Sequence, residues 1–407
     1  MLAPLRHRLP LTTVLICGGL VVTLAMGIRH GFGFWQLPIT MDRGWSRETF
    51  AFALALQNLL WGATQPFAGM LADRFGAFRV LAVAVLCYAG GLVLMALAPN
   101  VPLFDLGAGV LIGVACSGTT YSLVYGVIGR TALPAQRSQA LGLCAAAGSF
   151  GQFAMVPISQ WLIGHVGWQQ ALFGLGALAL LMLPLGLGLR EPAAAPAAAG
   201  SVKPQSPLAA AREAFATPAF RWLMIGYFVC GFQVVFIGVH LPAYLRDKGM
   251  DPQVAVWALA LIGLFNIAGT WTAGQLGARI PGKWLLAFIY FARAVVIATW
   301  LALPLTAVST LVFAAFMGAL WLATVPLTSG VIATVFGVRY LGMLSGCVFF
   351  SHQIGSFLGV WLGGYLYDRR GSYDVVWAIT IVLGVVAGLS NLPIRERPAA
   401  RLMAEAA

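Results

Sequence analysis

Residues Gly69 to Arg79 read GMLADRFGAFR, a short charged break marked by glycines between two long apolar runs. The same kind of break returns 205 residues later, where Gly274-Gln275-Leu276-Gly277-Ala278-Arg279 closes another apolar run. A second set of landmarks, Gly142, Gly151 and Gly167, recurs as Gly346, Gly355 and Gly371 at an offset of 204. Two independent landmarks that share nearly one offset indicate a duplicated unit.

Outward from that break the chain is apolar almost throughout. Apolar residues make up 60% of the 407 and charged residues 9%, whereas soluble domains carry about 25% charged residues. So few charges cannot cover a water-facing surface. Crossing about 30 Å of hydrocarbon takes roughly 20 helical residues. The apolar runs predict an all-α membrane protein of twelve transmembrane helices: 11–38, 48–72, 80–98, 103–128, 139–163, 168–189, 219–243, 253–277, 284–303, 307–335, 341–365 and 374–392. One longer break, 190–218, is rich in Ala, Pro and Ser and reads as a cytoplasmic linker. It separates two pseudo-symmetric six-helix halves, 1–189 and 219–407.

The net charge of +12 reads as membrane orientation, with no nucleic acid implied. Of the 24 Lys and Arg, 16 fall on one side of the predicted spans and 6 on the other: Arg43, Arg47, Arg246, Lys248, Arg369 and Arg370. The positive-inside rule then places both termini in the cytoplasm, with the chain multi-pass in a plasma (inner) membrane. No A-x-A-like cleavage site follows the first apolar run, so it is expected to remain as the first helix. The six cysteines all lie inside apolar runs without metal-ligand spacing and read as small core residues.

The break that opens this reading resembles the major facilitator signature between the second and third helices. Gly69, Leu71, Asp73, Arg74, Gly76 and Arg79 match it, while Ala77 stands where a base is common. The resemblance implies two parallel six-helix repeats, a substrate site near mid-membrane, and a gating role for Gly69, Asp73, Arg74, Gly76 and Arg79. Asp73 is expected to form charge and helix-end contacts that hold a closed state. Arg29-His30-Gly31-Phe32-Gly33-Phe34, Gly44-Trp45-Ser46-Arg47-Glu48, Phe336-Gly337-Val338-Arg339 and Gly371-Ser372-Tyr373 resemble the monocarboxylate and oxalate–formate branch. That branch often carries an Arg in its eighth helix, where this chain offers Asn266.

Ionisable groups in hydrocarbon are costly and usually functional. Every carboxylate falls in a loop, a tail or a helix end, whereas Arg29, Arg293, His30, His240 and His352 fall inside predicted helices. Buried cations need a counter-anion, and if the chain supplies none the substrate does. Substrate-binding candidates are therefore Arg29, His30, Arg293, His352 and Gln353. Neutral candidates at similar depth are Tyr121, Tyr125, Gln233, Asn266 and Trp321. Arg293 also has a structural reading, bonded to neighbouring helices, and His240 reads as an exposed rim residue.

The sequence has no phosphate loop for ATP, no metal-binding cluster and no nucleophile with its base. No cofactor is expected, and an enzyme is not. The expectation is a secondary active transporter, a functional monomer, for a small organic anion, a monocarboxylate, moved by alternating access with protons or by exchange. Efflux of apolar or amphiphilic compounds is the competing reading, and an intramembrane enzyme the remote one.

Overall fold

The computed structural model describes residues 9–190, 206–337 and 340–398; the side chains of Asp73, Pro134, Ala135, Arg137, Ser138 and Pro207 lie outside that description. Among the described residues eleven helical stretches are long and apolar enough to cross a bilayer. They are span 1 (Leu11–Arg43), span 3 (Ala77–Leu97), span 4 (Val101–Thr131), span 5 (Gln139–Val166) and span 6 (Trp168–Leu189). After them come span 7 (Pro218–Asp247), span 8 (Pro252–Gly277), span 9 (Gly282–Ala302), span 10 (Ala307–Phe336), span 11 (Leu341–Arg370) and span 12 (Asp374–Asn391). Span 2 (Arg47–Phe75) is as long, at 29 residues, but is diluted by Gln57, Asn58, Thr64 and Gln65. The total is twelve.

Contacts divide the chain into two compact units, Met1–Arg43 with Leu56–Ala197, and Gly44–Ala55 with Ala198–Ala407. The opening turns of span 2 thus belong with the second unit. Within the 190–218 stretch, Pro207–Ala216 is a short helix capped by Ser206, whose hydroxyl accepts the Ala209 N–H at 3.2 Å. Residues 191–205 of that stretch are outside the described residues.

The duplication is visible in the packing. In the first unit Gly27 of span 1 meets the Gly151 carbonyl of span 5, and Gly151 meets the Thr23 carbonyl. In the second unit Gly231 of span 7 meets the His352 carbonyl of span 11, and Gly355 meets the Phe228 carbonyl. Gly113 against Gln57 is likewise matched by Gly318 against Ile262. At each position an added Cβ would strike a neighbouring helix's backbone. Small residues are what let membrane helices approach this closely, where dispersion and polar contacts must drive association.

Spans 4 and 10 are each broken near their middle. Span 4 is interrupted at Thr120, whose backbone is extended (φ −104°, ψ −165°), between Ile112–Thr119 and Tyr121–Thr131. Span 10 is interrupted between Ala307–Leu320 and Thr324–Phe336. The sequence reading ran both as single helices. Pro326 explains the second break: it has no N–H to offer, and its ring excludes the helical position of the carbonyl four residues back, that of Leu322.

Candidate functional site

In the first unit the side chain of Arg29, near the end of the helix Leu11–His30, reaches span 2. One guanidinium nitrogen, Nη2, donates to the Asn58 carboxamide oxygen. The group lies over the Trp61 ring, 4.8 Å from its centroid. Asn58 and Trp61 are three residues apart and so share a face of the span-2 helix. Tyr88 spends its hydroxyl on the Ala25 carbonyl at 3.0 Å. The Nε of Arg29 is buried and has no hydrogen-bond partner. A buried donor left unmade costs about 1–3 kcal/mol, more on a charged group, so an acceptor arriving there recovers that cost.

The other candidates of this unit have contacts of their own. His30 is half-buried at the last residue of the helix, ahead of the 3-10 turn Gly31–Trp35. Tyr121 and Tyr125 follow the break in span 4 and pack on each other, with ring centroids 5.3 Å apart. The Tyr121 hydroxyl sits in the space left by Gly148 on span 5. At the expected gate, Gly76 turns the chain from span 2 into span 3 at φ +89°, a left-handed conformation that favours glycine. Gly69 has open space above its Cα. Arg74 and Arg79 are exposed. The contacts expected of Asp73 lie outside the described side chains.

The second unit gathers four candidates around the break in span 10. Arg293 of span 9 is fully buried. Its Nε and Nη2 donate to the Leu320 carbonyl at 3.1 and 2.6 Å, and Nη2 also reaches the Trp321 carbonyl at 2.5 Å. Its Nη1 lies 3.4 Å from the Gln233 side-chain oxygen. Gln233 in turn donates to the Thr380 carbonyl of span 12 at 3.0 Å. On the other lip of the break, the Asn266 oxygen accepts the Leu322 N–H at 3.0 Å. Trp321, within the break, is buried. Arg293, Gln233, Asn266 and Trp321 are thus brought together as a structural knot.

Beside that knot, the Cys230 thiol and the Thr324 hydroxyl are 3.4 Å apart. His352 is held through Nδ1 by Gln353 at 3.2 Å and Ser356 at 3.3 Å, between the rings of Tyr227 and Phe349. Gln353 is fully buried, and its amide nitrogen has no partner.

At the opposite end of the second unit lies a network that sequence reasoning missed. Arg47 grips Asp247 with both terminal nitrogens, at 2.6 and 2.7 Å. It lies 3.8 Å over the Tyr367 ring and donates to the Tyr373 hydroxyl at 3.0 Å. Asp368 accepts the backbone N–H groups of Arg47 and Glu48 at the start of span 2, at 3.2 and 2.6 Å. Burial pushes the Tyr373 phenol above its ordinary pKa, so the hydroxyl keeps its proton. His240, expected at an exposed rim, is in fact 1% exposed. Its Nε2 bonds the Val360 carbonyl at 2.8 Å, and its Nδ1 lies 3.3 Å from the Tyr373 hydroxyl. Gly363 makes the room, because a Cβ there would meet the imidazole. Loop residues that pair across long sequence separations left no local signal. Arg47 and Tyr373 stood in stretches that carried the resemblance, but nothing in the sequence paired either with Asp247.

Comparisons with known proteins agree on the kind of molecule. A family model described as Major Facilitator Superfamily matches residues 15–329. The uncharacterized MFS-type transporter YcxA of Bacillus subtilis is 26% identical, over 92% of this chain and 92% of its own length. Monocarboxylate transporter 11 of Mus musculus is 30% identical over 81% of this chain and 74% of its own, and monocarboxylate transporter 13 of Bos taurus 26% over 88% and 82%. Among solved structures, a D-xylose-proton symporter superposes with a TM-score of 0.73 at 17% identity, covering 94% of this chain and 97% of that one. A bacterial homolog of the human lysosomal transporter Spinster gives 0.72 at 16% identity over 93% and 96%.

Proposed function

Since the chain belongs to the Major Facilitator Superfamily, and is a membrane transporter and not an enzyme, we propose that its substrate is a small organic monoanion, a monocarboxylate, moved by alternating access. One observation carries this reading. Of Arg29 and Arg293, the two arginines far from a span end, Arg293 has its nitrogens engaged on backbone carbonyls and Gln233, whereas Arg29 keeps a buried Nε without a partner. A single available guanidinium suits one carboxylate, which it binds by charge-assisted hydrogen bonds. Trp61, beneath the guanidinium, offers an apolar wall for the rest of a small acid. The monocarboxylate transporters among the relatives support the same class. Tyr121 and Tyr125, of the same unit, are secondary contacts in this proposal. The excess of basic residues on one side supports cytoplasmic termini in the plasma (inner) membrane, and one chain carrying both six-helix units is the proposed functional unit. With every carboxylate at a loop or helix end, coupling is assigned to a co-transported proton or to exchange of one anion for another.

The test is uptake of radiolabelled lactate and pyruvate into proteoliposomes, with and without an inward proton gradient and with unlabelled acid inside. The proposal expects saturable uptake that is lost in Arg29→Gln and strongly reduced in Arg29→Lys. Uptake of these acids no faster than through empty liposomes, alongside uptake of a neutral or cationic amphiphile, would replace the anion reading with efflux.

A further inference from the structure

We infer that Arg293 is a positioning residue, a tethered cation that seats itself in the carbonyl cradle of the broken span 10 and fixes the angle between its two halves. The hydrogen-bond accounting at the break supports this. In a continuous helix the Trp321 carbonyl would receive the N–H of Val325. Here that N–H goes instead to the Leu322 carbonyl at 3.0 Å. The Trp321 carbonyl therefore does not receive the amide a continuous helix would give it, inside a bundle where backbone groups must be met from within the protein. The guanidinium takes it at 2.5 Å, together with the Leu320 carbonyl at 2.6 and 3.1 Å. The freed amide of Leu322 goes to Asn266 at 3.0 Å. Both orphaned sides of the break are thus closed by side chains from other spans, one cationic and one neutral.

The two halves of span 10 are also anchored differently. The first half lies backbone to backbone on span 8, where Gly269 meets the Ala319 carbonyl and Gly318 meets Ile262. The second half begins at Thr324, whose hydroxyl faces Cys230 of span 7. Between them only Trp321, Leu322 and Ala323 are non-helical, and Arg293 holds the carbonyls at their start. The C-terminal end of a half-helix inside a transporter is a place where small cations are commonly coordinated. In this chain the cation is built in and reaches span 12 as well, through Gln233 and Thr380. A rotation of one half-helix must therefore draw on the guanidinium, which ties it to spans 7, 9 and 12 together.

The experiment is hydrogen–deuterium exchange of the full chain in nanodiscs, read on peptides covering residues 318–328, for wild type, Arg293→Ala, Arg293→Lys and Asn266→Leu. In Arg293→Ala the amides around the break should exchange roughly tenfold faster, as local opening there becomes easier, while spans 1, 3 and 5 keep their protection. Guanidinium at a millimolar, non-denaturing concentration should restore protection in Arg293→Ala and leave wild type unchanged, because it refills the vacated cradle. Arg293→Lys, which keeps the charge but not the fork that meets two carbonyls, should fold and give intermediate protection. Asn266→Leu should expose the Leu322 amide alone. The inference is overturned if Arg293→Ala leaves the break as protected as wild type. Loss of protection across the whole second unit without a response to guanidinium also overturns it, as does Arg293→Lys protected like wild type.

Discussion

Arg29 and Arg293 are both guanidinium groups inside membrane spans, one in each compact unit, and they differ in what their donors meet. Arg293 is fully buried and spends its nitrogens on the Leu320 and Trp321 carbonyls and on Gln233. Arg29 has one carboxamide, one indole face and a buried Nε left over. The repeat sharpens the contrast. Arg29 lies 204 residues before Gln233 and Tyr88 lies 205 before Arg293, so the two units place their guanidinium on opposite members of an equivalent pair. The breaks are closed differently too. In span 4 the carbonyls ahead of Thr120 are taken by local hydroxyls: Ser117 on Val114, Thr119 on Ala115 and Thr120 on Cys116. In span 10 they are taken by an arginine from another span. One unit thus keeps its cation for something else. A buried charge with all three nitrogens engaged reads as structure, and one with a nitrogen to spare reads as an offer to a ligand.

The largest effect that would break this comparison is on anion binding. Arg29→Gln should cost about 2–5 kcal/mol of affinity for a monocarboxylate, the usual loss on truncating one partner of a buried hydrogen-bonded charge pair. A thermal-shift titration of purified protein checks it, since bound ligand stabilises the fold by mass action. A midpoint that still rises with acid concentration as in wild type contradicts the assignment. Next comes Arg293→Met, which takes the guanidinium from two carbonyls and should lower stability by about 2–6 kcal/mol at about 1–3 kcal/mol each. Its anion affinity should stay within about twofold of wild type, a change worth under 1 kcal/mol. Asn266→Leu leaves a single amide unmet and should cost about 1–2 kcal/mol in the same denaturation assay.

Arg47 supplies the mildest case. Its bidentate pair with Asp247 is partly open to solvent, with side chains 13% and 28% exposed, so Asp247→Asn should cost about 1 kcal/mol or less after screening. Added salt should weaken wild type toward the variant. A salt-insensitive difference would mean that the Tyr367 and Tyr373 packing of Arg47, and not its charge, holds this end of the unit.

How much of this was legible in the sequence differs by level. The twelve spans, the duplication and the two intramembrane arginines follow from hydropathy and from a periodic set of glycines, because those signals are local or repeat at a fixed offset. A structural reading of Arg293 was open from the sequence, but the groups it bonds were not legible. The partners of Arg293 are carbonyls freed by a break at 321–323, and although Pro326 marks that break, hydropathy runs straight through it. Asn58 stood among the polar residues of span 2, but only packing pairs it with Arg29, and Trp61 gave no polar signal. His240 was misplaced because depth along a helix says nothing about a space made by Gly363, 123 residues away. Gly148 and Tyr121 teach the same lesson, since the hydroxyl occupies a gap that the glycine creates.

The most direct measurement is calorimetric titration of one short monocarboxylate, such as lactate, into wild type, Arg29→Lys and Arg293→Lys under one buffer. Both variants preserve charge, so only the geometry and commitment of each guanidinium are compared. The predicted result is affinity at least about tenfold weaker in Arg29→Lys, or about 1.4 kcal/mol, with Arg293→Lys binding as wild type does. Wild-type affinity in Arg29→Lys, with the loss appearing in Arg293→Lys, would contradict it.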